Sequence, residues 1–346
     1  MLKEFGHVAL KLFAVAGAVF VGGPASAQSG KPLTILIGYT PGANYDLQAR
    51  VLAKHLGKYL SGNPTVIPQN MAGAGSLRVA NYLYNVAPKD GSAIGVFGRG
   101  IATQPLLDEQ GIQFDAQKFN WIGSPAAEIS VVISWGTKPF KTVDDLRQRE
   151  MVVSATGTGA DSAVFPYILN GVLGTKMKVV TGYPGSAELL LAVERGEVDG
   201  NGGTSWGNVS TNRPDWLRDK KLNVILQLGT RKHPELNDVP FVMDYAKNEI
   251  DKGILELIFS RQTMAYPFAA PPDVPAERVQ ELRRAFDSVM ADPAYLEDAK
   301  RHSLDVDPAS GAEIETLVRR VYSSPAEVLA RAKAALEEGK KNTRSK

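Results

Sequence analysis

The chain of 346 residues contains no cysteine, which excludes disulfides, thiolate metal sites, a cysteine nucleophile and a lipobox anchor. Histidine is nearly as scarce, at 4 residues. His55, His233 and His302 stand far apart and read as surface or capping residues. A zinc site or a Ser-His-Asp triad therefore has little to build on. The Walker lysine motif and G-x-S-x-G do not occur, and Gly73-x-Gly75 and Gly157-x-Gly159 lack the third glycine of a dinucleotide fingerprint. No cofactor is expected. Charge excess is missing too, with 39 basic and 37 acidic residues, so nucleic acid is not an expected partner.

The N-terminus has its own pattern. Lys3 and Lys11 precede an apolar stretch from Leu12 to Val21, followed by Gly22, Gly23, Pro24 and Ala25-Ser26-Ala27. This predicts a secretory signal over residues 1–27, cleaved after Ala27, and hence a periplasmic protein. The apolar core is shorter than the ~20 residues of a spanning helix, and no later run reaches that length. The length exceeds the roughly 250 to 300 residues at which a single core stops growing, so about two domains are expected.

From Leu33 onward, apolar runs alternate with stretches of helical period, which predicts α/β architecture with parallel sheets. Strands are expected at Leu33–Tyr39, Thr65–Asn70, Ala93–Phe97, Ile129–Trp135, Met151–Thr156, Met177–Tyr183, Asn223–Leu228 and Phe259–Phe268. Helices are expected at Asn44–Leu60, Ser76–Val86, Ala160–Leu173 and Ser186–Arg195. Thr142 with Asp145, and Ser310 with Glu313, have capping-box spacing, and Asp292-Pro293 marks another helix start. With no linker composition between domains, the chain is expected to cross from one to the other near Ile129 and Phe259.

Three strand-to-helix junctions carry small residues: Thr40, Gly42, Ala43 and Asn44; Gly73, Ala74, Gly75 and Ser76; Thr156, Gly157, Thr158, Gly159 and Ala160. Backbone N–H groups at helix starts are unpaired and partially positive, so such loops can grip a carboxylate or phosphate. The hydroxyls of Thr40, Ser76, Thr156 and Thr158 would add donors. For any single loop, turn geometry explains the glycine equally well; three in one chain favour a shared anion site. Asp46 reads as a helix cap or as a lock on the first loop. Arg99, after an apolar strand, is either a bidentate partner for a second ligand carboxylate or a solvated surface arginine. Tyr39, Tyr183 and Trp206 would wall a ligand or pack in the core, and Ser205 sits beside Trp206. A hydrolase using Asp161 or Asp199 as base is an alternative reading, and a receptor presenting its closed form to a signalling protein is another.

At these residues the chain resembles the Bug-type solute receptors of tripartite tricarboxylate transporters. The resemblance rests on Tyr39-Thr40-Pro41-Gly42-Ala43-Asn44-Tyr45-Asp46 with Ala49-Arg50, on Pro68-Gln69-Asn70-Met71-Ala72-Gly73-Ala74-Gly75, and on the turns at Ala87–Gly91, Tyr183–Ser186 and Gly196–Asp199. It implies a two-lobed periplasmic-binding-protein fold of type II, with two crossing strands and the ligand in the interlobe cleft. Residues 28–127 and 258–346 would form one lobe and 128–257 the other. It further implies capture of a di-, tri- or aromatic carboxylate by a monomer, through main-chain donors and waters, for the large and small membrane subunits of a transporter. Two departures stand out: Ala43 replaces the family's usual second glycine, and Asp161-Ser162 does not match its common Ser-x-x-His ending.

Overall fold

A computed structural model describes residues 30–344 apart from Ala43, Glu109, Thr158, Pro184 and Asn212, with backbone alone for 342–344. The expected signal segment lies outside the described residues. In chain order the elements are β1 (Leu33–Ile37), α1 (Asn44–Leu56), β2 (Val66–Asn70), α2 (Leu77–Asn85), β3 (Ala93–Val96), β4 (Asn120–Ser124), β5 (Ser130–Trp135), α3 (Val143–Gln148), β6 (Met151–Ser154), α4 (Asp161–Leu173), β7 (Met177–Val180) and α5 (Ser186–Glu194). There follow β8 (Gly200–Ser205), α6 (Trp206–Ser210), α7 (Pro214–Arg218), β9 (Leu222–Leu228), α8 (Glu249–Phe259), β10 (Phe268–Ala270), α9 (Ala276–Met290), α10 (Pro293–Arg301), β11 (Ala309–Ser310), α11 (Gly311–Tyr322) and α12 (Ala326–Arg344).

Two sheets form two lobes. The first has six strands in the order β11-β4-β10-β3-β1-β2 and the second five in the order β7-β6-β8-β5-β9. Each is mixed rather than parallel throughout. The parallel parts, β3-β1-β2 and β8-β6-β7, come from strand-helix-strand units; β10 and β5, which enter their sheets directly from the crossings, run antiparallel to both neighbours. The crossings lie side by side, joined by hydrogen bonds from Glu128 N to Gln262 O and from Ala265 N to Ala126 O.

The region Phe259–Phe268 is not the expected strand. Helix α8 ends at Phe259, a 3₁₀ turn takes Ser260–Thr263, and only Phe268–Ala270 pairs in the sheet. The short strand suffices because its three residues are fully buried between β3 and β4. The capping boxes at Thr142 and Ser310 are formed, as is the Asp292 cap.

The terminal helices divide between the lobes. Helix α11 packs on β4 of the first sheet, whereas α12 lies along α4 and α8 on the second lobe. The expected assignment of all of 258–346 to the first lobe leaves out this return. Close backbone approach fixes the α4–α12 seam: a Cβ on Gly171 would stand 2.4 Å from Ala335 O, and one on Gly339 2.2 Å from Tyr167 O.

Candidate functional site

The loops that follow β1, β2, β3 and β6 meet the two crossings at the junction of the lobes. Asp46, in the first turn of α1, is buried and accepts from Gly42 N at 2.9 Å, Arg50 Nε at 2.9 Å and Asn70 Nδ2 at 2.8 Å. Asn70 Nδ2 also donates to Tyr39 O at 3.0 Å. Asp46 thus locks the first loop to the end of β2. Burial works to raise its carboxyl, but the hydrogen bonds from Arg50, Gly42 and Asn70 outweigh burial and hold it below the ordinary value.

The second loop is held in an unusual backbone shape. Gly73, Ala74, Gly75 and Ser76 all have positive φ, at 146°, 48°, 61° and 74°. For Ala74 and Ser76 this conformation costs about 1–3 kcal/mol each. Ser76 is fully buried, and its Oγ accepts from Gly98 N at 2.8 Å, which ties the loop to the end of β3. The amide of Ser76 goes to Gly73 O. Among the described residues no acceptor answers the amides of Gly73, Ala74 and Gly75, and a Cβ on Gly75 would meet nothing within 4 Å. Successive amides in such a turn form an anion-binding concavity. Arg78 stands next to it, its stem against Gly73.

In the third loop, Thr156 N is taken by Ser162 Oγ at 3.2 Å and Ala160 N by Gly157 O at 3.1 Å. Four of the expected amide donors, Gly42, Ser76, Thr156 and Ala160, therefore serve the loops themselves. Gly157 and Gly159 face open space within 4 Å. Ala43 and Thr158 lie outside the described residues.

A buried ionic cluster occupies the junction of the lobes. Arg99 gives Nε to Asp161 Oδ2 at 2.5 Å and Nη1 to Glu128 Oε2 at 2.6 Å. Arg261 gives Nη1 to Asp161 Oδ1 at 3.0 Å and Nε to Ile258 O at 2.8 Å. Tyr266 Oη donates to Glu128 Oε1 at 2.7 Å. Arg99 is thus not a solvated surface arginine: it is 8% exposed, and its Nε and Nη1 are taken by partners within the chain. Burial would raise the Asp161 carboxyl, but the charges of Arg261 and Arg99 prevail and keep it below the ordinary value. A carboxylate so held is a poor base. Asp199 accepts from Val152 N and pairs with Lys138, both at structural positions.

Aromatic rings cover this cluster. Tyr39 stacks on Tyr45 with centroids 4.2 Å apart, and Tyr45 meets Tyr266 edge-on at 4.9 Å. The Tyr45 hydroxyl donates to Ala265 O at 3.0 Å. Burial pushes the Tyr39 hydroxyl up to about 12, against a smaller opposing effect of the Ser76 hydroxyl. Trp206, by contrast, is core: it is buried against Ile129 and Val209, and its indole N–H donates to Glu235 at 2.7 Å. Tyr183 lies by Ala155, its hydroxyl 3.5 Å from Glu197 and not with the other tyrosines. Thr40 is exposed.

The lobes touch across the cleft. Asn44 Nδ2 reaches Asn208 Oδ1 at 3.5 Å, and Arg231 pairs with Asp307. Beside Asn44 and Asn208 a cavity of about 150 Å³ is lined by Ser205, Glu128, Tyr266, Gln48 and Asp305. That is below the roughly 300 Å³ at which ligand pockets begin.

Glu128, Arg261, Tyr45 and Tyr266 are members of this site that the sequence reading did not single out. A signal existed for Glu128, a charge inside a crossing segment between Ala127 and Ile129; Arg261, between Ser260 and Gln262, carries none.

Comparisons with known proteins agree with this architecture. BugD, a periplasmic binding protein, superposes with a TM-score of 0.62 at 20% identity, over 90% of this chain and 97% of its own. MatC from Rhodopseudomonas palustris, solved with bound malate, gives 0.65 at 16% identity over 88% and 98%. A further R. palustris protein, solved with adipate, gives 0.64 at 16% over 89% and 97%. In sequence, a UPF0065 protein of the gbd 5′ region of Cupriavidus necator is 24% identical over 294 residues, 82% of this chain and 83% of that protein. The profile of the tripartite tricarboxylate transporter family receptor, TctC, matches residues 48–321, and the chain belongs to that family.

Proposed function

We propose that this receptor binds a small carboxylate in the cleft between its lobes and delivers it to the membrane subunits of a tripartite transporter. The observation that carries this reading is the Gly73–Ser76 loop, strained at two non-glycine residues and presenting three unanswered amides beside Arg78. The loop is anchored through the buried Ser76, while at Gly75 a Cβ would meet nothing within 4 Å, so that part of the loop is open to a ligand. Two relatives of the same fold were solved with malate and with adipate. Interlobe contact and a small cavity favour capture by hinge closure, in which the lobes part to admit the ligand. The family is one of receptors, and neither Asp161 nor Asp199 is free to act as a base. In keeping with this role we assign residues 1–27 as a signal cleaved after Ala27, and the protein to the periplasm; no described helix is long and apolar enough to cross a membrane.

A thermal-shift screen of mono-, di- and tricarboxylates on the mature chain, followed by calorimetry, tests the proposal. A ligand at a hundred times its dissociation constant stabilises by about 2.7 kcal/mol. A micromolar constant, about −8 kcal/mol, is sufficient for a scavenging receptor. Uniform absence of a shift across the three classes would sink the carboxylate assignment.

A further inference from the structure

The cationic groups at the junction of the lobes are neutralised from inside, and this bears on which carboxylates fit. Asp161 stands between two guanidiniums, Nε of Arg99 at 2.5 Å and Nη1 of Arg261 at 3.0 Å. Arg99 has a second partner in Glu128 at 2.6 Å. The four charges cancel. Arg261 Nη2 is buried with no partner among the described residues, so the pair of arginines is not saturated by Asp161 alone. Two convergent guanidiniums are the arrangement that ordinarily holds a ligand carboxylate. Here the chain supplies that carboxylate itself, from the first turn of α4.

The cluster adjoins the amide loop. Ser76 Oγ holds Gly98 N, Arg99 is the next residue, and the Tyr39 hydroxyl packs against Ser76 and Gly98. A ligand seated on the amides of Gly73 to Gly75 and long enough to pass Ser76 would bring its far end toward Tyr39, Tyr45 and the cluster. A second carboxylate at that end would meet Asp161 and Glu128, with Arg99 already committed to both. Desolvating an anion beside like charges is unfavourable, whereas a neutral end gains the faces of the tyrosines.

We propose that Asp161 acts as a built-in substitute for a ligand's second carboxylate, so that the cleft selects monocarboxylates with a neutral far end over dicarboxylates of the same length. This rests on the carboxylate reading above and narrows its ligand class.

Calorimetry with matched pairs tests it: benzoate against terephthalate, and hexanoate against adipate. In the wild type the monocarboxylate of at least one pair is expected to bind tenfold or more tighter than its partner. In Asp161→Ala, which removes the acceptor that the two guanidiniums share and leaves Arg99 with Glu128 alone, the order should reverse, and the dicarboxylate should raise the melting temperature more than the monocarboxylate does. Asp161→Asn keeps the side chain's shape if the alanine variant folds poorly; its ratio should move at least fivefold toward the dicarboxylate. Wild-type preference for the dicarboxylate, or a ratio unmoved in the variants, overturns the proposal and leaves the carboxylate reading standing. Binding of none of the four acids by the wild type or the variants overturns this proposal as well, while the wider screen of mono-, di- and tricarboxylates decides the carboxylate reading.

Discussion

The carboxylate of Asp46 takes an amide, an arginine and an asparagine at once, so it shapes the first loop without facing the cleft. Replacing it by alanine leaves the Gly42 amide and Arg50 Nε without this acceptor and the Asn70 Nδ2 with Tyr39 O alone. Hydrogen bonds to a charged group contribute about 1.5–3 kcal/mol, so Asp46→Ala is expected to lower unfolding free energy by about 2 kcal/mol in urea titration. Gly75 presents the opposite case. A side chain there is strained at φ 61° but clashes with nothing, so Gly75→Val should cost about 1–2 kcal/mol in stability. Its loss of carboxylate affinity should be far larger, tenfold or more by calorimetry, because the new branch covers the amides. Unchanged affinity would remove that loop from the site. The sequence singles out both Arg99 and Asp161, but not that each is the other's partner. Sixty-two positions separate them, and only the meeting of two lobes makes the pair.

Strands with continuous apolar side chains, such as β1 and β5, are legible from the sequence because their own residues fill both faces. The strand β8 is not. Its residues, Gly200-Asn201-Gly202-Gly203-Thr204-Ser205, carry no large apolar side chain and give no strand signal, yet all are buried. Helix α4 lies so close that its side chains do the filling: a Cβ on Gly202 would stand 2.3 Å from Pro166 Cγ, and one on Gly203 2.8 Å from Phe165 Cδ2. Gly202→Ala should therefore destabilise by about 1–3 kcal/mol, the usual range for overpacking, read as a fall in melting temperature. Helix α8 escapes notice for a related reason. Gly253 interrupts its pattern, and that glycine sits where Val328 of α12 presses in, 3.0 Å from where a Cβ would be. The helix starts announced by capping residues were the most legible elements, since a cap is a local interaction that needs no tertiary partner.

For the molecule as a whole, the division into two lobes follows from length and from the strand-helix alternation, but the antiparallel direction of β5 and β10 does not. Direction depends on how the chain re-enters a sheet after crossing, which no local pattern records. The charge cluster at the crossing also sets a pH dependence. Asp161 titrates lower when folded than when unfolded, so its contribution to stability is fully present above about pH 4. It is lost as pH falls through the lower folded value. Melting temperature should thus drop in acid, and the difference between wild type and Asp161→Asn should shrink over the same range. A difference that stays constant down to pH 2 would show that the cluster does not couple to folding.

The return of α12 to the second lobe gives the two bodies three tethers: the crossing segments around Glu128 and Gln262, and the short turn at Ser323–Pro325 between α11 and α12. A door on three pins swings only about a line the pins share. Rotation that opens one edge of the cleft must twist this turn as well, which confines the motion to a narrow family of axes. Stiffening or loosening the turn, far from any bound guest, would then alter how quickly the receptor loads.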